Sequence, residues 1–214
     1  MQRSLLFISL LFIFLVPSSF SQSKIKLLDA AISKLPKEVS YKGSIKDIVR
    51  WSDKSGENIT ILSESGVFTK GDPDADMENK NAEVYAINYL VTKDSSKVKW
   101  KVIDYERNCP FDIVCAFVNK TLQVTDLNND GVAEVWMMYK VACRSDVSPS
   151  NMKIIMYEGS QKFAMRGQNK VQMTETELYG GDYKFDEALE KAPKKFRDFA
   201  LKMWNAHIFE TWGK

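Results

Sequence analysis

The chain has 214 residues, with 30 Lys and Arg against 28 Asp and Glu. A balance this close to neutral argues against a nucleic-acid binder or a generic membrane-surface protein, and the 10 glycines, 6 prolines and 12% aromatic residues argue against a disordered stalk. With one histidine and three cysteines at spacings that match no zinc pattern, a Cys/His metal centre is excluded as well.

Residues 1–21 read as a signal peptide. Arg3 supplies the charge, and Leu5 to Val16 is apolar apart from Ser9. Ser19-x-Ser21 then offers small residues for cleavage before Gln22. The apolar run is short for a bilayer span, and no later segment reads as one. Residues 22–214 are expected to form a single globular domain of an exported protein.

Ile25 to Leu35 places Leu28, Ile32 and Leu35 at helical spacing and stops at Pro36, so a short amphipathic helix is predicted. Glu57–Ser63 reads as a strand. Val84–Thr92 alternates, with Tyr85, Ile87, Tyr89 and Val91 on one face. Lys97–Ile103 alternates too, with Val98, Trp100 and Val102 inward and three lysines outward, and the Asp94-Ser95-Ser96 turn joins the two segments as a hairpin. Ile113–Val124 is expected to pair with Ala133–Val141. Met152–Tyr157 and Lys162–Arg166 flank a Glu158-Gly159-Ser160 turn. Pro193 is placed to open a helix, and Phe196, Phe199, Ala200, Met203 and His207 follow its inner stripe. The predicted class is α+β: an antiparallel meander of hairpins, a short N-terminal helix, and a C-terminal helix packed on the sheet.

Between two strand-like runs lies Val124-Thr-Asp-Leu-Asn-Asn-Asp-Gly-Val-Ala-Glu134. Counting from Asp126, oxygen side chains fall at positions 1, 3, 5 and 9, namely Asp126, Asn128, Asp130 and Glu134. Gly131 follows at position 6, and Val132 at position 7 can offer its carbonyl. Hard cations such as Ca2+ take several oxygens at about 2.4 Å, and glycine lets the chain turn behind the ion. Three crowded carboxylates repel one another unless a cation neutralises them. Met137 stands where an EF-hand has its bidentate glutamate, and the flanks are strands, so this is not an EF-hand. The competing reading is a plain polar turn, for which Asn-Asn-Asp-Gly suffices.

If Val124 faces Ala133, paired positions sum to about 257 and both Cys109 and Cys115 approach Cys143. Cys109–Cys143 is favoured, clamping the hairpin opposite the ion. Cys115–Cys143 and Cys109–Cys115 stay open, and Cys115 in "IVCAFV" suits a buried thiol.

Other candidates are weaker. Asp72, Asp74 and Asp76 alternate in what reads as a solvated acidic loop or a second ion site. His207 reads as a half-buried helix histidine. Asp104 and Glu106 on one strand face are the only paired acids that would suit a glycosidase. Arg144, Asp146 and Arg166 could cluster as surface ion pairs. Trp136 shares parity with Glu134, so it is either sheet packing or an exposed ring beside the loop.

The loop is similar to the β-hairpin calcium loops of integrin-type FG-GAP repeats, over the length of the hairpin only. "CPFDIV", "VTDLNNDGVAEVWMMYK", "DVSPSNMKIIMYEG" and "AMRG" together resemble an exported family of flavobacteria and their relatives known as surface polysaccharide biosynthesis proteins. That resemblance implies an envelope protein, in the periplasm or on the outer surface of a Gram-negative cell, affecting lipopolysaccharide or capsule, and carries over no catalytic residue. The expectation is a non-enzymatic accessory or binding protein with one structural calcium loop, its partners a surface glycan or other envelope proteins. A carbohydrate-active enzyme or a periplasmic inhibitor or immunity protein is the alternative.

Overall fold

The computed structural model describes residues 25–69, 79–174 and 176–210. The signal-peptide segment and Asp72–Asp76 lie outside them.

The first sheet consists of β1 (Lys26–Leu28), β2 (Ser44–Asp53), β3 (Gly56–Thr69), β4 (Lys80–Val91) and β5 (Ser96–Cys109). They lie side by side in chain order, every neighbour antiparallel. Its inner face carries Trp51, Leu62, Val84, Ala86, Trp100 and Val102. The chain then changes sheets across Pro110 and Phe111. The second sheet contains β6 (Asp112–Phe117), β7 (Gln123–Thr125), β8 (Glu134–Arg144), β9 (Asn151–Glu158), β10 (Gln161–Gln168) and β13 (Tyr183–Phe185). Its order is β13-β10-β9-β8-β6, with β7 also beside β8. β11 (Lys170–Gln172) and β12 (Leu178–Gly180) pair separately as a small ribbon. Two helices end the described chain, α1 (Glu187–Lys191) and α2 (Lys194–His207).

The molecule is therefore mostly β, in three layers: sheet, sheet, helix. β8 explains why. Its odd positions Val135, Met137, Tyr139 and Val141 pack against the first sheet. Its even positions Trp136 and Met138 pack, with Met152, Ile154, Met156 and Met165, against Phe196, Ala200, Met203 and Trp204 of α2. A strand covered on both faces needs a continuous apolar run rather than alternation, and "VWMMY" is one. Each fully buried side chain of this size contributes roughly 1.5–3 kcal/mol. The Trp136 ring lies 4.7 Å from that of Phe199 and 6.2 Å, edge-on, from that of Phe196.

The predicted C-terminal helix is present and opens at Pro193. The two predicted hairpins around 94–96 and 158–160 are present as β4–β5 and β9–β10. Three expectations are corrected. Ile25–Leu35 is not a helix: Lys26–Leu28 pairs with β2, and only Ile32–Lys34 forms a single 3-10 turn. An isolated helix shorter than about 12 residues is marginal, and Ile32 is 59% exposed, so the apolar stripe finds no core to bury against. Val98 points outward, 54% exposed, because a bulge at Lys99 shifts the β4–β5 register from Asn88↔Trp100 to Tyr89↔Val98. Ile113–Val124 is not one strand. Position sums are 256 along β6–β8 and 259 along β7–β8. The slip occurs at a turn where Lys120 has φ 62° and the Thr121 hydroxyl donates to the Val118 carbonyl and accepts from Met138 N–H.

Candidate functional site

The loop from Asp126 to Glu134 sits at one tip of the second sheet. Asn129 (φ 60°) and Gly131 (φ 82°) take left-handed backbone, which asparagine and glycine tolerate best. The loop's side-chain oxygens answer its own N–H groups. Asp126 accepts from Gly131 N–H at 3.2 Å, Asn128 Oδ1 from Asp130 N–H at 3.1 Å, and Asp130 Oδ1 from Val132 N–H at 2.7 Å. Glu134, fully buried, turns back beneath the loop and accepts from Thr125 Oγ1 at 2.6 Å and Leu127 N–H at 2.9 Å.

A fifth oxygen-bearing residue joins them. Glu158, at the end of β9, stands directly across from Glu134 and accepts from Asn128 Nδ2 at 2.7 Å. Like charges directly opposite in a sheet are destabilising. Burial, then the charges of Asp130, Glu134 and Asp126, push the Glu158 carboxyl upward. Burial, with a further push from Asp126, raises Glu134 despite the hydrogen bonds it accepts from Thr125, Leu127 and Asn128. Glu158 lies 24 positions beyond Glu134, so loop spacing could not reveal it. The β8–β9 register could have.

None of these four carboxylates is ion-paired to a described lysine or arginine. Two ammonium groups approach the loop's carbonyls instead: Lys54 donates to the Asp130 oxygen and Lys195 to the Leu127 oxygen, the latter at 3.0 Å. Among the described residues, no three acid, thiol or imidazole groups converge as a ready-made ion cage. The donor chemistry nevertheless fits a hard cation. A carboxylate offers about four lone-pair sites, and the hydrogen bonds above leave several of them free.

The same loop joins the two sheets. Asp53, at the β2–β3 turn, accepts from Ala133 N–H at 3.1 Å and from Trp51 Nε1 at 2.9 Å, while Lys54 N–H donates to the Gly131 carbonyl at 3.0 Å. At the opposite end, Cys109 of β5 is bonded to Cys143 of β8, with Cα atoms 5.6 Å apart. The bridge thus ties one sheet to the other rather than only clamping a hairpin. Cys115 is free and half-buried, its thiol pushed up to about 12 by burial and then by the charge of Asp104.

The remaining candidates are dispersed. Asp104 accepts from Tyr139 OH at 2.9 Å and Lys153 Nζ at 2.5 Å. Burial alone would raise its pKa, but these two partners outweigh burial and hold it below the ordinary value. An acid so held is suited to staying ionised, not to donating a proton. Asp146 is held below the ordinary value by hydrogen bonds from Ser148 and then by the charge of Arg144, so those two lie close, but Arg166 pairs elsewhere. Arg144 is buried and pairs with Glu210 at 3.6 Å, Arg166 pairs with Asp186 at 3.8 Å, and Asp146 accepts from Ser148 N–H. Trp136 is fully buried, which removes the exposed-ring alternative. His207 is half-buried at the end of α2, its pKa lowered by burial and then by Lys140. No family model, curated protein or solved structure matches the chain.

Proposed function

We propose that the protein is a non-catalytic accessory or binding module of the bacterial cell envelope, exported, and associated with surface polysaccharide as the resemblance of its sequence implies. Its tip loop takes one calcium ion in a structural role. Asp126, Asn128, Asp130, the Val132 carbonyl and Glu134 are the proposed ligands, with Glu158 as a further carboxylate. The observation that carries this reading is electrostatic: four carboxylates share one tip, two of them directly opposed across strands, with no described basic side chain paired to any of them. A divalent cation would cancel that repulsion and stiffen the point where the β2–β3 turn docks. Calcium suits a site rich in protein oxygens better than magnesium, which keeps more of its water.

The test is thermal unfolding of the exported chain in excess calcium and in chelator. Binding to the folded state alone stabilises by about 2.7 kcal/mol at a free-ion level one hundred times Kd. The Asp130→Asn and Glu158→Gln variants are expected to lose the calcium increment and, by relieving repulsion, to melt no lower than the parent chain in chelator. Identical melting curves with and without calcium overturn the assignment.

A further inference from the structure

The second sheet ends at β13, and a cleft of about 760 Å³ lies between that strand and α1. Tyr183 and Phe185 line it from the strand, Glu187 and Glu190 from the helix, and Asp186, which caps the helix, joins the two. The Tyr183 ring is 45% exposed, yet its neighbours fix it. Its centroid lies 5.5 Å from that of Phe185 and 5.9 Å from that of the fully buried Trp204. Gly167 stands directly opposite Tyr183 on β10 and has no side chain to lay over the ring. A Cβ at Gly167 would meet the Asp182 carbonyl oxygen at 1.9 Å, so any other residue there would push β13 away. An aromatic face therefore stands in a set place on the cleft wall, with little entropy left to lose on binding.

The polar groups around that ring carry both signs. Arg166 and Lys184 are opposed in register on β10 and β13, and the same lining holds the carboxylates of Asp186, Glu187 and Glu190. Arg166 pairs with Asp186 at 3.8 Å, and Glu187 pairs with Lys191 at 2.5 Å. Lys184 and Glu190 enter none of the described ion pairs. The ring thus has one unpaired donor and one unpaired acceptor group in the same cleft.

We propose that this cleft binds an uncharged oligosaccharide. Interleaved charges on the wall give no one-signed field to draw in a polyanion or a polycation. A purely apolar ligand would take water from Lys184 and Glu190 and return no hydrogen bond. A sugar answers all three features: its C–H face lies on the Tyr183 ring, and its hydroxyls accept from Lys184 and donate to Glu190. The cleft is also within the range of roughly 300–1,000 Å³ usual for small-ligand sites. This site rests on the reading of the protein as a polysaccharide-associated binding module and gives it a place on the molecule; it does not rest on the calcium loop.

The experiment screens the full exported chain, in chelator, against an array of neutral and acidic oligosaccharides. Neutral hits are then titrated calorimetrically, with triglycine as the zwitterion that would meet the same two charges without a sugar's hydroxyls. The expected result is saturable binding of at least one neutral oligosaccharide, little changed by salt, and none of triglycine. Tyr183→Ala and Glu190→Ala, both at exposed positions, should each weaken binding about tenfold, or roughly 1.4 kcal/mol, and Tyr183→Trp should keep it. Absence of any neutral hit, triglycine binding as tight as the sugar, or unchanged affinity in both alanine variants overturns the proposal. Binding of acidic glycans alone, or binding indifferent to Tyr183 and Glu190, removes this site and leaves the binding-module reading standing. An array with no glycan bound at all removes both.

Discussion

Removing the inter-sheet disulfide measures how firmly the two sheets are held. Cys109 and Cys143 enclose 34 positions of chain. In the chain-entropy description, a loop of that size stabilises the fold by about 3.8 kcal/mol at room temperature, by restricting the unfolded ensemble. The Cys109→Ala/Cys143→Ala double variant should lose that amount. At about 2–4 °C per kcal/mol for a domain of this size, the melting temperature should fall by roughly 8–15 °C. The fold should survive, because the far end is still joined by Asp53 to Ala133 N–H and by Lys54 N–H to the Gly131 carbonyl. Urea unfolding followed by tryptophan fluorescence is the assay. The signal sums both cores, with Trp51 and Trp100 in the inner one and Trp136 and Trp204 in the outer one. A single transition displaced to lower urea supports the reasoning. A loss below about 1 kcal/mol would refute it, since the bridge would then constrain little of the unfolded chain.

Three other outcomes are expected. With its pKa pushed up to about 12, the Cys115 thiol should react with iodoacetamide at mildly alkaline pH on the order of a thousandfold more slowly in the folded chain than in urea; equal rates would show that the thiol is not held by its surroundings. Glu210 accepts from Asn169 Nδ2 and pairs with Lys140 at 3.3 Å and Arg144 at 3.6 Å, all nearly buried; Glu210→Ala leaves those charges short of a partner and should cost about 3–5 kcal/mol in a denaturant melt. Acid titration in chelator should show two opposed limbs. Glu134 and Glu158 have raised pKa values, so the fold gains stability as pH falls through those values toward the ordinary glutamate value. Asp104 is lowered, so its contribution is present above the ordinary aspartate value and is lost as pH falls below it. Urea midpoints from about pH 7 to pH 3 check both, and Asp104→Asn should flatten the second limb.

Much of the architecture was legible in the chain itself. Alternation in Val84–Thr92 and the turn at Asp94-Ser95-Ser96 are local facts, and they place the β4–β5 hairpin without reference to anything distant. Helical spacing from Phe196 to His207 after Pro193 places α2 in the same way. The loop's oxygen-bearing residues Asp126, Asn128, Asp130 and Glu134 are visible as a spacing, because they lie within one turn of chain. Glu158 is not, because its place beside Glu134 depends on which strand pairs with β8 and in what register. Val98 faces outward against its alternation because a single bulged residue, Lys99, inverts parity without any mark in the pattern.

Local covalent and steric preferences decided the hairpins, the C-terminal helix and the composition of the loop. Long-range packing decided the rest: the stacking of two sheets, the burial of β8 on both faces, and the strand Lys26–Leu28 where a helix was expected. It also decided that the Cys109–Cys143 bond joins β5 of one sheet to β8 of the other, and that Arg166 of β10 and Glu190 of α1 line one cleft. These features exist only through contacts between segments far apart in sequence, whose free energy comes from surface removed from water and from charges brought close. No window of neighbouring residues contains either quantity.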